Sequence, residues 1–175
     1  MPTREGKVKR CKIKINYVFS CNAWKKVEFD LKTLTISASE LALEESGVIN
    51  HLKAIEFTIN LSDDEELQLL NSEFMDKDYP TNVLSFPANE VRVGDSKSYL
   101  RMDGYIGDIA ISFNRIFVES DEQGKDFKNH YAHMIVHAIL HLIGYDHQNE
   151  DEADLMENKE IRVLKALGIA NPYEI

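Results

Sequence analysis

Apolar and polar residues alternate in two stretches of this chain and recur at helical spacing in several others. Ile13 to Phe19 opens with alternation and predicts a strand with one wet face. Ala54 to Leu61 alternates in the same way and predicts a second strand. Asn82 to Phe86 is a short third strand ended by Pro87, and Tyr105 to Phe113, rich in β-formers, is a fourth. Leu31 to Ser46 is mixed, but the part from Ser39 consists of good helix formers, with Gly47 as a stop. Ser62-Asp63-Asp64-Glu65 has the form of a capping box. It opens a helix to about Phe74, with Leu67, Leu70 and Phe74 as the apolar stripe. Arg115 to Glu122 predicts a short helix broken near Gly124. Asp126 starts a central helix that reaches about Ile143. Asp151 to Leu167 predicts the last helix, with Leu155, Ile161, Leu164 and Leu167 mostly on one face and Gly168 as its stop. Ala88 to Asp103 is polar and irregular, a long loop able to cover a site. About four strands interleaved unevenly with about five helices predict a single α+β domain with a mixed sheet.

The length of 175 residues agrees with one domain, which would bury about 70% of its unfolded surface. A formal net charge of −10 excludes a general attraction for nucleic acid. The charge is uneven, however. Arg4, Lys7, Lys9, Arg10, Lys12 and Lys14 face only Glu5 within residues 1–14. We therefore expect a basic arm over 1–14, either a solvated terminus or a segment that touches phosphates, and a domain over 15–175. Cys11 and Cys21 are too few for a disulfide framework and have no metal-type spacing. Free thiols in a reducing cytoplasm are the expectation. No apolar run suits a signal peptide or a membrane span, so a cytoplasmic protein is expected.

The central helix carries the chemistry. Ala132, Ile135, Val136, Ile139, Leu140 and Ile143 form one broad apolar stripe, and His137 and His141 fall beyond its edge. Residues four apart share a helix face about 5.4 Å apart, so both imidazoles can point at one spot on the floor of a cleft. Gly144 can end the helix in a left-handed turn and bring His147 back as a third ligand. Three imidazoles with no fourth protein ligand in the run describe a catalytic metal site with an open position for water. A cation there lowers the pKa of its water from ~15.7 to ~7. The spacing His-x3-His-x5-His is that of the metzincin proteases, but Ala138 stands where those enzymes carry the Glu general base. Alanine accepts no proton, which disfavours a metallopeptidase. No protein general base is assigned.

At this point the chain resembles the YbeY family of bacterial endoribonucleases and rRNA maturation factors. The resemblance rests on His137-Ala-Ile-Leu-His141-Leu-Ile-Gly144-Tyr-Asp146-His147, preceded by His130 and His133. A second match runs from Asn71 through Phe74, Met75, Asp78, Pro80-Thr81-Asn82-Val83-Leu84-Ser85-Phe86-Pro87. It is similar to the family pattern N-x-x-[FY]-R-x-x-D-x-P-T-[DN]-V-L-S-F-P. Gly107-Asp108-Ile109, Met156, Glu160 and Leu167-Gly168 complete it, from about Ile55 to Gly168. The resemblance implies a zinc-dependent endoribonuclease acting on single-stranded RNA. Its role would be processing of rRNA near the 3′ end of 16S rRNA and quality control of the small ribosomal subunit. DNA and membranes are not expected as partners. It makes His137, His141 and His147 the ligands of one Zn2+.

Two positions depart from the family. His137 is followed by Ala138 where the family has glycine, a change worth about 0.5–1 kcal/mol in favour of the helix. Met75 stands where the family carries an arginine. An arginine could hold a scissile phosphate by two bonds and stabilise its added charge; methionine can do neither. Lys77 is the nearby replacement cation. The alternative is a zinc-stabilised assembly factor that binds RNA with little or no cleavage. Asp78, Thr81, Ser85, Asp108 and Asp146 are candidates for substrate contact or for holding a ligand histidine. Asp78 and Thr81 also suit a turn around Pro80. Tyr79, Phe86 and Tyr99 are candidates for stacking on bases. His133 is expected to line the site, Met156 to sit beneath the metal or in the core, and His51 to lie in a loop.

Overall fold

A computed structural model describes residues 10–93, 95–99 and 104–174. Residues 1–9, most of the expected basic arm, lie outside this set, as do 94 and 100–103 of the expected loop. Four strands form one sheet: β1 (Lys12–Phe19), β2 (Ala54–Ser62), β3 (Val83–Pro87) and β4 (Tyr105–Ser112). Their order is β1-β2-β4-β3. β1 pairs with β2 and β2 with β4 in parallel, while β3 runs antiparallel on the edge beside β4. The expected mixed sheet in a single α+β domain is therefore present. The helices are α1 (Leu31–Ser46), α2 (Asp64–Met75), α3 (Ser96–Tyr99), α4 (Phe113–Glu122), α5 (Phe127–Leu142) and α6 (Glu150–Ala166).

The alternation in β2 sends Ile55, Phe57, Ile59 and Leu61 into the main core, where Ile106, Ile109 and Ile111 of β4 join them. α1, α5 and α6 cover that face. Leu67 of α2 meets Leu84 and Ala110 in a smaller cluster. α5 is the centre of the packing, lying against α1, α4, α6, β3 and β4. From His130 to Leu142 every residue is buried except His137 and His141. Burial on all sides is why apolar residues run round most of this stretch of helix.

Several boundaries move for local reasons. α1 begins at Leu31, because Asp30 caps it by accepting from the Thr33 amide at 3.0 Å. α2 is capped by Asp63, not Ser62: the Asp63 carboxylate accepts from the Glu66 amide at 3.1 Å, while Ser62 still belongs to β2. The expected long loop contains the short helix α3. β1 begins at Lys12, so the end of the expected arm is part of the sheet. Gly107, at φ 136°, lies next to the irregular register between β2 and β4. A Cβ there would come within 2.2 Å of the Phe86 carbonyl oxygen, so the close pairing of β3 on β4 requires glycine.

Candidate metal centre and cleft

The last turns of α5 present His137 and His141 from one face. The helix ends at Leu142, and Gly144 turns the chain at φ 104°. A Cβ on Gly144 would lie 2.6 Å from the Val91 carbonyl oxygen, so the turn needs glycine both for its conformation and for its packing. The Tyr145 amide bonds back to the Leu140 carbonyl at 3.0 Å, and His147 follows at the rim, exposed. One ligand atom from each of His137, His141 and His147 lies within 4.8 Å of the other two. The Nε2 atoms of His137 and His141 are 3.1 Å apart. Two nitrogens bound tetrahedrally at ~2.05 Å to one zinc would be ~3.3 Å apart, so the pair needs almost no rearrangement to share an ion.

The second nitrogen of each inner histidine is engaged. His141 Nδ1 lies 2.9 Å from the Tyr145 carbonyl oxygen, which can only accept. His137 Nδ1 lies 2.5 Å from a carboxylate oxygen of Glu160. Both rings therefore carry their proton on Nδ1 and turn the Nε2 lone pair toward the common point. Burial, reinforced by the electrostatic influence of the neighbouring His137 and His147, pushes the pKa of His141 down to about 4. It is neutral at pH 7, as a metal ligand must be. Burial opposes ionisation of Glu160, but bonds from His133 and His137 outweigh it and hold its pKa at about 2.

The three histidines form one wall of a cleft of about 1040 Å³. Met75, Lys77, Tyr79 and Thr81 line it as well, together with Ser85 of the edge strand. Ser85 Oγ donates to the Ala138 carbonyl at 2.9 Å and ties β3 to α5. Met75 and Tyr79 are 43% and 53% exposed, apolar surface open to a ligand. Lys77 is the one lysine or arginine on the lining among the described residues, against Glu90 and Asp146.

Other expected residues fall elsewhere. Asp108 does not hold a ligand histidine: it is exposed, and it accepts from the Tyr105 hydroxyl at 2.7 Å. Glu160 of α6 takes that place, fully buried between Met156 and Val163 in the inward face of its helix. A single carboxylate inside an otherwise apolar helical stripe is the signal that could have found it. Asp146 lines the cleft but accepts from the His147 amide and the Gln148 side chain, not from an imidazole. Asp78 is exposed outside the lining and accepts from Gln68 at 3.0 Å. Tyr99 is buried and packs beside His51 at 5.5 Å, so it offers no face to a base. Phe86 packs edge-on against Phe74, 5.2 Å away. His133 is buried behind the site rather than lining it, and Met156 is core. Among the described residues no helix is long and apolar enough to cross a membrane.

The fold is similar to the solution structure of TM1509 from Thermotoga maritima, with a TM-score of 0.52 and 20% identity over 92% of this chain and 99% of that one. A family model described as Endoribonuclease YbeY matches residues 19–168, a span that takes in β2, β3 and β4, the cleft and all three histidines. The chain therefore belongs to the YbeY endoribonuclease family.

Proposed function

We propose that this protein is a zinc-dependent endoribonuclease that cuts single-stranded rRNA, at the 3′ end of 16S rRNA, and serves quality control of the small ribosomal subunit. The observation that carries the reading is the convergence of His137, His141 and His147 on one point at the wall of an open cleft. The donor set fits one zinc ion, since three neutral imidazoles leave a tetrahedral position free. When bound, the ion would polarise a phosphoryl oxygen and acidify a coordinated water. The protein's own groups do the rest. His137 and His141 aim their lone pairs, fixed by Glu160 and the Tyr145 carbonyl. Lys77 is placed to meet a phosphate, and Tyr79 offers a ring on which an unstacked base can lie. Thr81 adds a hydroxyl to the same wall. Ala138 is buried and its carbonyl is taken by Ser85, so this position supplies no general base for peptide hydrolysis. The basic residues at 1–14 would add phosphate contacts.

Met75 favours a second reading, an RNA-binding assembly factor with weak cleavage, because the cleft holds a thioether where the family pattern has a guanidinium. The test is incubation of the protein with single-stranded RNA and with casein, with zinc and after chelation. RNA cleavage that needs metal and disappears in His137→Ala is the expected outcome. Intact RNA together with tight binding to small subunits would leave only the second reading, and casein cleavage would overturn both.

A further inference from the structure

Glu160 gathers more than one histidine. Its Oε1 faces His137 Nδ1 at 2.5 Å, and its Oε2 faces His133 Nε2 at 3.0 Å and also accepts from the hydroxyl of Tyr173. The carboxylate is fully buried. An ionised carboxylate only accepts, so all three partners must donate to it. That assignment places the proton of His137 on Nδ1 and the proton of His133 on Nε2. It also accounts for His133 Nδ1 being buried with no partner, a bare lone pair. Tyr173 reaches Glu160 from the C-terminal segment, two residues before the end of the chain. The segment is anchored there by Lys125, which donates to the Pro172 carbonyl at 2.9 Å.

We propose that the C-terminal segment, through Tyr173 and Glu160, is a positioning element of the metal centre. This rests on the reading of His137, His141 and His147 as metal ligands. Without donors on its Oε2, a buried carboxylate would either rotate away from His137 or take up a proton. His133 and Tyr173 saturate Oε2 and leave Oε1 for His137. The ring of His137 is thereby held in one tautomer and one orientation, and its Nε2 becomes a more basic ligand. Tyr173 is 43% exposed while its hydroxyl reaches Glu160, so the buried carboxylate is linked to a surface segment.

The experiment measures zinc affinity by competition with a chromophoric chelator for the wild type, Glu160→Gln and Tyr173→Phe. It also records the metal-free melting temperature and the 1H–15N spectra of the imidazoles. Outer partners of this kind typically contribute 10–100-fold in metal affinity. Glu160→Gln is expected near the upper end of that range and Tyr173→Phe near the lower end. The melting temperature of Tyr173→Phe should stay within a few degrees of wild type, which separates positioning from general destabilisation. The metal-free wild type should show His137 protonated on Nδ1 alone, and Glu160→Gln should show a mixture of tautomers. If Glu160→Gln does not fold, Tyr173→Phe decides. Wild-type affinity in Tyr173→Phe would overturn the proposal. Failure of the wild type itself to bind zinc would instead bring down the metal reading, and this inference with it.

Discussion

The two walls of the cleft are held in different ways. On the α5 wall, His137 and His141 each have the second ring nitrogen bonded, one to a buried carboxylate and one to a backbone carbonyl. On the wall formed by residues 75–81, Met75 and Tyr79 are exposed. That wall is tied back to α2 by hydrogen bonds: Asn71 Nδ2 donates to the Tyr79 carbonyl at 2.9 Å, the Lys77 amide donates to the Asn71 carbonyl at 3.2 Å, and Gln68 donates to the Asp78 carboxylate at 3.0 Å. We expect the first wall to be set by folding and the second, with its exposed side chains, to adapt to what enters. Substitutions on the first wall should therefore act almost as a switch, and those on the second by degrees.

The largest expected effect is on the first wall. His141→Ala removes a proposed ligand and should lower zinc affinity by more than the ~100-fold that an outer partner typically contributes, with loss of RNA cleavage. Tyr79→Ala should leave zinc affinity unchanged and weaken RNA binding by about 1–3 kcal/mol, the usual contribution of one stacked base. Equilibrium titrations with zinc and with a short single-stranded RNA measure both. Equal losses of zinc affinity in the two variants would erase the distinction between the walls.

The same wall should make the metal-free protein acid-sensitive. The folded pKa of His141 is about 4 against an ordinary 6.5, so between those values the unfolded chain binds the extra proton. Stability is thus fully present above pH 6.5 and is lost as pH falls toward 4. Glu160 sits at about 2 against 4.5, so its contribution is present above 4.5 and is lost as pH falls toward 2. Each step is worth at most about 3 kcal/mol. Denaturant melts of the chelated protein at pH 7, 5.5, 4.5 and 3.5 should show two successive declines. His141→Gln should flatten the upper one, and an unchanged decline there would refute the assignment.

The difference between the walls also decides what could be read from the chain alone. The metal wall is local in sequence: a four-residue spacing, a glycine and a third histidine lie within eleven positions, and helix geometry does the rest. The strands were legible because alternation in Ala54 to Leu61 reports a sheet with one face on the main core. Glu160 was out of reach of spacing, because its partner His137 is on another helix and only the packing of α6 on α5 brings them together. Asp108 misled for a related reason. Its apolar neighbours face inward, but alternation puts Asp108 on the other side, toward Tyr105. Sequence alone puts Tyr99 in a loop, whereas α3 carries it into the core.

On the adaptable wall the expected effects are smaller. Met75→Arg places a guanidinium in the cleft at the position the family pattern assigns to arginine. Two bonds to a phosphate that gains charge during cleavage would raise kcat by roughly tenfold, a modest share of what a fully preorganised donor supplies. Single-turnover cleavage with zinc saturating checks it. An unchanged rate would show that Lys77, or no side chain on this wall, already meets the phosphate.

The smallest effect tests whether the walls are independent. Ser85 Oγ donates to the Ala138 carbonyl at 2.9 Å, the direct hydrogen bond between the edge strand and the helix that carries the ligands. Ser85→Ala leaves that carbonyl with its helical bond, so the cost should be ordinary, about 1 kcal/mol of stability. The consequence for function depends on which wall moves. Helix α5 is packed on several sides, whereas β3 has only β4 as a sheet neighbour. The strand should therefore shift and the helix stay. Zinc affinity is then unchanged, and the KM for RNA rises while kcat holds. A loss of zinc affinity in Ser85→Ala would mean that the ligand geometry is shared across the cleft, and that the contrast between a set wall and an adaptable one is wrong.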